Sequence, residues 1–93
     1  MAERRVNVGW AEGLHARPAS IFVRAATASG VPVTISKADG DPVNAASILA
    51  VLGLGAHGGD EIVLASEADD SEVALDRLAK LVAEGLDELP ETV

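Results

Sequence analysis

One histidine in this chain stands at the start of a predicted helix, in a setting that suits phosphoryl chemistry. The run at residues 13–20 is Gly-Leu-His-Ala-Arg-Pro-Ala-Ser, and it holds His15, one of only two histidines. A helix N-terminus leaves backbone N–H groups unpaired and carries partial positive charge, so it attracts anions such as phosphate. A neutral imidazole in that position is a nucleophile near physiological pH. The segment therefore predicts a phosphohistidine at His15.

The residues after His15 supply groups that would stabilise a phosphate. Arg17 carries a planar, charged donor that matches phosphate oxygens. The backbone N–H groups of Ala16 and Arg17 are the expected phosphate donors of the first turn, and Pro18 is tolerated there. A phosphorylated imidazole is more reactive than a phosphate ester, so it can pass its phosphoryl group onward. This combination favours a relay over an end product.

Hydrophobic periodicity predicts the elements that must position His15. Alternating apolar residues indicate strands at residues 6–10, 32–37, 42–44 and 61–66. Helical spacing indicates helices at residues 16–29, 48–52, and from 71 to 85 or a little beyond. The order βαββαβα predicts an α+β two-layer sandwich, with helices on one face of an antiparallel sheet. We expect a single domain over residues 1–93 with a frayed tail at residues 89–93.

The same patterns predict inward faces and helix starts. The buried stripe of the first helix is expected to comprise Ile21, Phe22, Ala25 and Ala28. The inward side of the last helix is expected to comprise Val73, Leu75, Leu78, Val82 and Leu86. Asp69 followed by Glu72 predicts a capping box for the last helix, and Ser47 is expected to cap the short one.

Composition and charge exclude several classes of function. The 93 residues contain no cysteine, so disulfides and thiolate metal sites are excluded, and two histidines favour no metal site. A net charge of −8 argues against a nucleic-acid partner. No run resembles a signal peptide or reaches the length of a membrane span, so we expect a cytoplasmic protein without membrane insertion. The glycines around His57 match no nucleotide-binding motif.

The charges are distributed unevenly along the chain. From Asp60 to the end there are eleven acidic and two basic residues, whereas residues 1–24 hold four arginines and two glutamates. The surroundings of His15 are therefore locally basic on an acidic protein. Such asymmetry predicts that an acidic partner surface docks at the His15 end.

Three segments resemble HPr, the family of histidine-containing phosphocarriers of the bacterial sugar phosphotransferase system. They are the run at residues 13–20, the stretch Val-Asn-Ala-Ala-Ser-Ile-Leu at residues 43–49 with its continuation to Gly55, and Gly-Asp-Glu-Ile at residues 59–62. The likeness runs from about Val6 to about Leu86. It implies the open-faced sandwich of that family, with a four-stranded antiparallel sheet covered by three helices on one face.

The resemblance also implies a chemistry and its partners. Enzyme I, phosphorylated from phosphoenolpyruvate, would pass the group to Nδ1 of His15, and sugar-specific enzyme II components, such as enzyme IIA domains, would receive it. The protein would then be a substrate of other enzymes rather than a stand-alone catalyst, and it would need no cofactor. We expect a monomer.

Ser47 occupies the position of the family's regulatory serine. An HPr kinase/phosphorylase would be its modifying partner, and a transcription regulator a further one. The alternative is a plain N-cap, and Ala46 stands where many relatives carry a lysine. The resemblance places Leu49 and Leu52 on a partner-facing surface. We expect Ile48 to belong to the same apolar surface, and Arg17 and Arg24 to form a basic rim around it. Packing in the core is the alternative for each apolar residue.

The sequence is also compatible with other functions. One is a regulatory binding protein of the same fold, controlled by phosphorylation of Ser47. Another is a carrier for nitrogen signalling or for dihydroxyacetone phosphorylation, with the same chemistry and other recipients. A third is an α+β ligand-binding domain without phosphoryl transfer. Failure of His15 to accept a phosphoryl group would favour the third.

Overall fold

A four-stranded antiparallel sheet forms one layer of the molecule, and three helices form the other. The structure, a computed structural model, describes residues 2–85. Its elements are β1 (Ala2–Asn7), α1 (Ala16–Ala28), β2 (Thr34–Lys37), β3 (Val43–Asn44), α2 (Ile48–Gly53), β4 (Glu61–Ser66) and α3 (Glu72–Glu84). The strand order is β1-β4-β2-β3, and every neighbouring pair is antiparallel. The predicted α+β architecture is confirmed.

Alternation along the central strand β4 explains why the helices cover one face only. Ile62 and Leu64 are fully buried, whereas Glu61, the first residue of β4, is exposed and Val63 is half-buried. Ile35 of β2 is paired with Leu64 and is equally buried. Helix α3 packs against β1 and β4, and α1 packs against both α2 and α3. The side chains between the two layers form a single aliphatic core around Phe22.

The first strand begins earlier than the pattern predicted. It runs Ala2–Asn7 rather than over residues 6–10, although Val8 and Trp10 are buried beyond its end. The reason is Arg4, a charged residue on the inward-facing side of the strand. Its guanidinium forms ion pairs with Asp76 and Glu72 of α3, and the hydrogen bond to Asp76 raises the pKa of Arg4. A paired charge takes an inner position that alternation alone assigns to an apolar residue.

The buried side of α1 is rotated slightly from the predicted stripe. Phe22 and Ala25 are buried as expected, but Ile21 is half-buried and Ala28 is exposed. The observed stripe consists of Pro18, Ala19, Phe22, Ala25 and Ala26. The small alanines on this side let α1 approach its neighbouring helices closely. They are therefore buried in preference to the larger Ile21.

Helix α3 differs from its prediction mainly at its start. The N-cap is Ser71 and the helix begins at Glu72, so Glu72 lies too early in the first turn to complete a capping box with Asp69. Leu75, Leu78 and Val82 are buried as predicted, whereas Val73 is 56% exposed. Leu86 and the predicted tail at residues 89–93 lie outside the described residues.

Candidate functional site

His15 is the N-cap residue of α1, and its imidazole is exposed. Its backbone is extended, with φ −139° and ψ 147°, and its side chain makes no capping hydrogen bond within the described residues. Asparagine, aspartate, serine and threonine are the usual residues at this position because their oxygens bond first-turn N–H groups. The histidine leaves those donors unused and presents its own ring to solvent. The structure thus places the predicted nucleophile at the helix mouth.

The first turn after His15 has an unusual backbone. Ala16 has φ +48°, in the left-handed region that favours glycine. A residue other than glycine held there costs about 1–3 kcal/mol, and such residues cluster at functional sites. Pro18 is buried and has no N–H to satisfy, so its place in the first turn is favourable. The N–H groups of Ala16 and Arg17 have no intrahelical acceptor at this end of the helix.

The loop that leads to His15 packs closely on the segment that precedes β4. Leu14 is buried, and its N–H donates to the carbonyl of Ala56 at 3.0 Å. Gly13 has φ +78°, and a Cβ there would lie 2.2 Å from the same carbonyl oxygen. A Cβ at Gly58 would lie 2.7 Å from the carbonyl oxygen of Ala11. Glycine is therefore required at both Gly13 and Gly58 for these two segments to approach each other. Their contact fixes the position of Leu14, the residue before His15.

Two arginines of α1 are exposed. Arg17 and Arg24 make no ion pair with another residue of the described chain. They are seven residues apart, close to two helical turns, so they lie on the same side of α1. By contrast, Arg4 and Arg5 on β1 are both ion-paired. The two α1 guanidiniums are thus available to an anion or an acidic surface near His15.

Ser47 caps α2, as predicted. Its backbone is extended, and its hydroxyl oxygen accepts a hydrogen bond from the N–H of Ala50 at 3.3 Å. The residue is half-buried, so its hydroxyl is partly accessible. The N-cap role is therefore structural, and it is compatible with modification, because a phosphate at a helix N-terminus is stabilised by the free amides.

The large apolar residues of α2 divide into one core residue and three exposed ones. Val51 is fully buried, whereas Ile48 is 39%, Leu49 80% and Leu52 38% exposed. We call Ile48, Leu49 and Leu52 the apolar patch. Helix α2 packs against α1, and Ala56, three residues after α2, holds Leu14. The apolar patch and the His15 segment therefore belong to adjacent elements.

Asp60 contributes to the site in a way that the sequence pattern does not predict. Its Oδ2 accepts the N–H of His57 at 2.9 Å and lies 3.6 Å from the Nδ1 of that residue. The backbone hydrogen bond from His57 is the largest cause that lowers the pKa of Asp60. The signal in the sequence is the spacing His-Gly-Gly-Asp, in which a carboxylate three residues on closes a glycine turn.

The described residues offer neither a metal site nor a membrane-spanning helix. Within residues 2–85, no group of three or more His, Cys, Asp and Glu side chains is arranged to hold a metal ion. No helix in that range is long and apolar enough to span a membrane.

Comparison with known proteins gives consistent matches over nearly the whole chain. Residues 2–84 match the family model described as PTS HPr component phosphorylation site. The chain is 86% identical over all of its 93 residues to the phosphocarrier protein HPr of Streptomyces coelicolor, which it covers completely.

Solved structures show the same fold. The phosphocarrier protein HPr from Bacillus anthracis is 40% identical, with a TM-score of 0.81 over 87% of this chain and 95% of that one. Crh from Bacillus subtilis is 37% identical, with a TM-score of 0.70 over 97% of this chain and 100% of that one, and it is described as a dimer with a swapping domain.

Proposed function

The chain belongs to the HPr family of phosphocarriers of the phosphotransferase system, and we propose that His15 carries its phosphoryl group. The observation that supports this most directly is the start of α1. Within residues 2–85, an exposed imidazole stands there without a capping bond, beside first-turn amides and an Arg17 that forms no ion pair. No other histidine of the chain has this setting, because His57 lies in a glycine turn.

The proposed reaction is a reversible transfer between proteins. A nitrogen of the neutral His15 imidazole, Nδ1 in the resemblance to the family, attacks the phosphorus of phosphorylated enzyme I. A P–N bond forms on His15 while the bond from phosphorus to the donor breaks, and its electron pair returns to the donor. Transfer to an enzyme IIA domain repeats the step with His15 as the leaving group. Phosphoenolpyruvate is the ultimate phosphoryl source.

Arg17 and the first-turn amides would stabilise the charge on the phosphoryl group. Charge-assisted hydrogen bonds of guanidinium to phosphate are short and strong. The N–H groups of Ala16 and Arg17 are oriented by the helix, and the helix dipole adds a favourable field. The protein needs no cofactor in this scheme and is not a stand-alone catalyst, since magnesium belongs to the enzyme I step.

The apolar patch and the two α1 arginines form the proposed docking surface. Leu49 is 80% exposed, and Arg17 and Arg24 have no intramolecular partner in the described chain. An acidic, partly apolar partner surface fits this combination. Charges at the rim accelerate encounter, and a small apolar contact keeps the complex transient, as a carrier with several partners requires. We propose that the carrier is a cytoplasmic monomer.

Ser47 is the proposed regulatory site. Its hydroxyl is at the N-terminus of α2, next to Ile48 and Leu49 of the apolar patch. A phosphate there would gain from the helix amides and would not unfold α2. It would place negative charge beside the docking surface and would repel an acidic partner. An HPr kinase/phosphorylase is the modifying enzyme that this proposal requires.

Incubation with phosphoenolpyruvate, magnesium and enzyme I tests the proposed function. Intact mass should increase by one phosphoryl group, the group should be acid-labile, and the NMR signals of the His15 imidazole should shift. An enzyme I that phosphorylates another carrier serves as the positive control. If this chain gains no phosphoryl group even with its cognate enzyme I, the carrier proposal is wrong and a binding module takes its place.

A further inference from the structure

One peptide group links Asp60 to the segment that carries His15. The carbonyl of Ala56 accepts the N–H of Leu14 at 3.0 Å, and the N–H of His57 donates to Oδ2 of Asp60 at 2.9 Å. These two groups belong to the same peptide bond, which is trans, since residues 2–85 contain no cis peptide. In a trans peptide the C=O and N–H point in opposite directions. Asp60 and Leu14 therefore hold one peptide plane from its two sides.

We propose that Asp60 is a positioning residue for His15, and that it acts through the Ala56–His57 peptide. The proposal rests on the proposed function of His15 and adds a residue to it. Asp60 does not touch the phosphoryl group in this scheme. It sets the orientation of the carbonyl that anchors Leu14, and so the place of the ring one residue further on.

The backbone of Asp60 is itself held by two hydrogen bonds. Its N–H donates to the carbonyl of His57 at 3.0 Å, and its carbonyl accepts the N–H of Val8 at 2.9 Å. In the preceding residue, Gly59, the N–H donates to the carbonyl of Val8 at 2.8 Å and the carbonyl accepts from the side-chain amide of Asn7 at 3.0 Å. The carboxylate thus projects from a backbone that is bonded to the end of β1.

The peptide has little freedom to move without moving the His15 loop. A Cβ at Gly13 would lie only 2.2 Å from the carbonyl oxygen of this peptide and 2.6 Å from the Cα of His57. A Cβ at Gly58 would lie 2.7 Å from the carbonyl oxygen of Ala11 and 2.8 Å from that of Trp10, which is also too close for any residue but glycine. A rotation of the Ala56–His57 plane would therefore shift Leu14 or break its hydrogen bond.

The charge of Asp60 strengthens the link. A carboxylate that accepts an N–H polarises the peptide, which makes the carbonyl of that peptide a better acceptor. The same hydrogen bond lowers the pKa of Asp60, so the group is ionised at neutral pH. Lys37 and the His57 imidazole also face this carboxylate and favour its charged form.

Three variants test the proposal: Asp60→Ala, Asp60→Asn and, as a control, Asp41→Ala. Asp41 is an exposed carboxylate between β2 and β3, so its removal changes the net charge equally. The readouts are the single-turnover rate of phosphoryl acceptance from enzyme I and hydrogen exchange of the Leu14 amide. Thermal unfolding of each variant reports the general stability.

We expect Asp60→Ala to accept the phosphoryl group about 3- to 10-fold more slowly, the range that the loss of one hydrogen bond gives. The Leu14 amide should exchange faster. Asp60→Asn should lie between Asp60→Ala and the wild type in both readouts, because its amide oxygen can still accept the His57 N–H without the charge. Asp41→Ala should match the wild type. If Asp60→Ala does not fold, faster Leu14 exchange in Asp60→Asn than in Asp41→Ala supports the proposal, and equal exchange overturns it.

Two results would overturn the inference: an Asp60→Ala rate equal to that of Asp41→Ala, or an Asp60→Asn protein no better than Asp60→Ala in both readouts. A wild-type chain that accepts no phosphoryl group would instead refute the proposed function. In that case Leu14 exchange and the His15 ring signals still test the positioning role, and unchanged values in Asp60→Ala reject it.

Discussion

The N-termini of α1 and α2 are built in opposite ways. At α2, Ser47 accepts the N–H of Ala50, so a side chain of the chain itself uses a donor of the first turn. At α1, His15 occupies the same N-cap position and forms no capping bond within the described residues. At a capped terminus, one first-turn N–H is already bonded to a side chain of the protein. At an uncapped terminus, the first-turn N–H groups can bond an external anion.

The backbone shows the same contrast. α1 starts with Ala16 at φ +48°, and α2 starts with no such residue among those described. The loop before α1 is held by glycines and by the Leu14–Ala56 hydrogen bond, which compensate for the strain. Among the described residues, backbone strain and a missing cap coincide only at the α1 terminus, the one with an exposed imidazole. The N-cap of α3, Ser71, also makes no capping bond, but it is buried and its helix starts without strain. Strain beside an exposed nucleophile is typical of a functional site.

Replacing His15 with alanine should have the largest effect on this contrast. We expect His15→Ala to abolish phosphoryl acceptance, because the nucleophile is gone, while the fold is retained, because the ring is exposed. Intact mass after incubation with enzyme I and phosphoenolpyruvate measures the first, and the amide NMR spectrum measures the second. A folded His15→Ala protein that still gains an acid-labile phosphoryl group would contradict the role of the α1 terminus.

Removing the guanidinium beside His15 should have the next largest effect. Arg17→Ala should slow phosphoryl acceptance by about 10- to 100-fold, since hydrogen bonds to charged groups contribute more than neutral ones. Arg24→Ala is the matched comparison on the same side of α1, and its smaller effect should fade with added salt. Single-turnover rates at two salt concentrations separate the two residues. If the two variants lose rate equally and added salt removes both losses, Arg17 acts only in docking.

A negative charge at the capped terminus should reduce transfer more modestly. Ser47→Asp keeps an oxygen acceptor for the Ala50 N–H and places a carboxylate next to the apolar patch. We expect acceptance from enzyme I to weaken by a few-fold, chiefly through slower association, and to recover at high salt. The His15 ring signals of the free protein should not move. An unchanged association rate would remove Ser47 as a control point of docking.

The elements around the site could be predicted because their patterns are local. Helix α2 and strand β4 have the predicted extents to within one residue, since a serine cap and strict alternation define them. β1 could not be placed correctly, because Arg4 faces inward only through its pairing with Asp76 of α3. That pair joins residues far apart in sequence, and no local pattern reports it.

The same limit applies to the site. His15 and Arg17 are only two residues apart in sequence, so a motif brings them together before any fold is known. Asp60 reaches the site through the Ala56–His57 peptide, and this link exists only after β1 and the turn before β4 have met. The strained Ala16 was equally hidden, since alanine gives no sign of a positive φ.

Removing the cap of α2 and adding one to α1 should have the smallest effects, which are on stability. These two changes test the comparison of the helix termini most directly. Ser47→Ala should lower the free energy of unfolding by about 1 kcal/mol, because the Ala50 N–H loses its acceptor. His15→Ser should raise it by up to about 1 kcal/mol, since a serine oxygen can bond the first turn that histidine leaves open. Urea denaturation of the two variants measures both changes. If His15→Ser gains nothing, the left-handed Ala16 rather than the identity of residue 15 keeps the α1 terminus open, and the site is then preformed by its backbone.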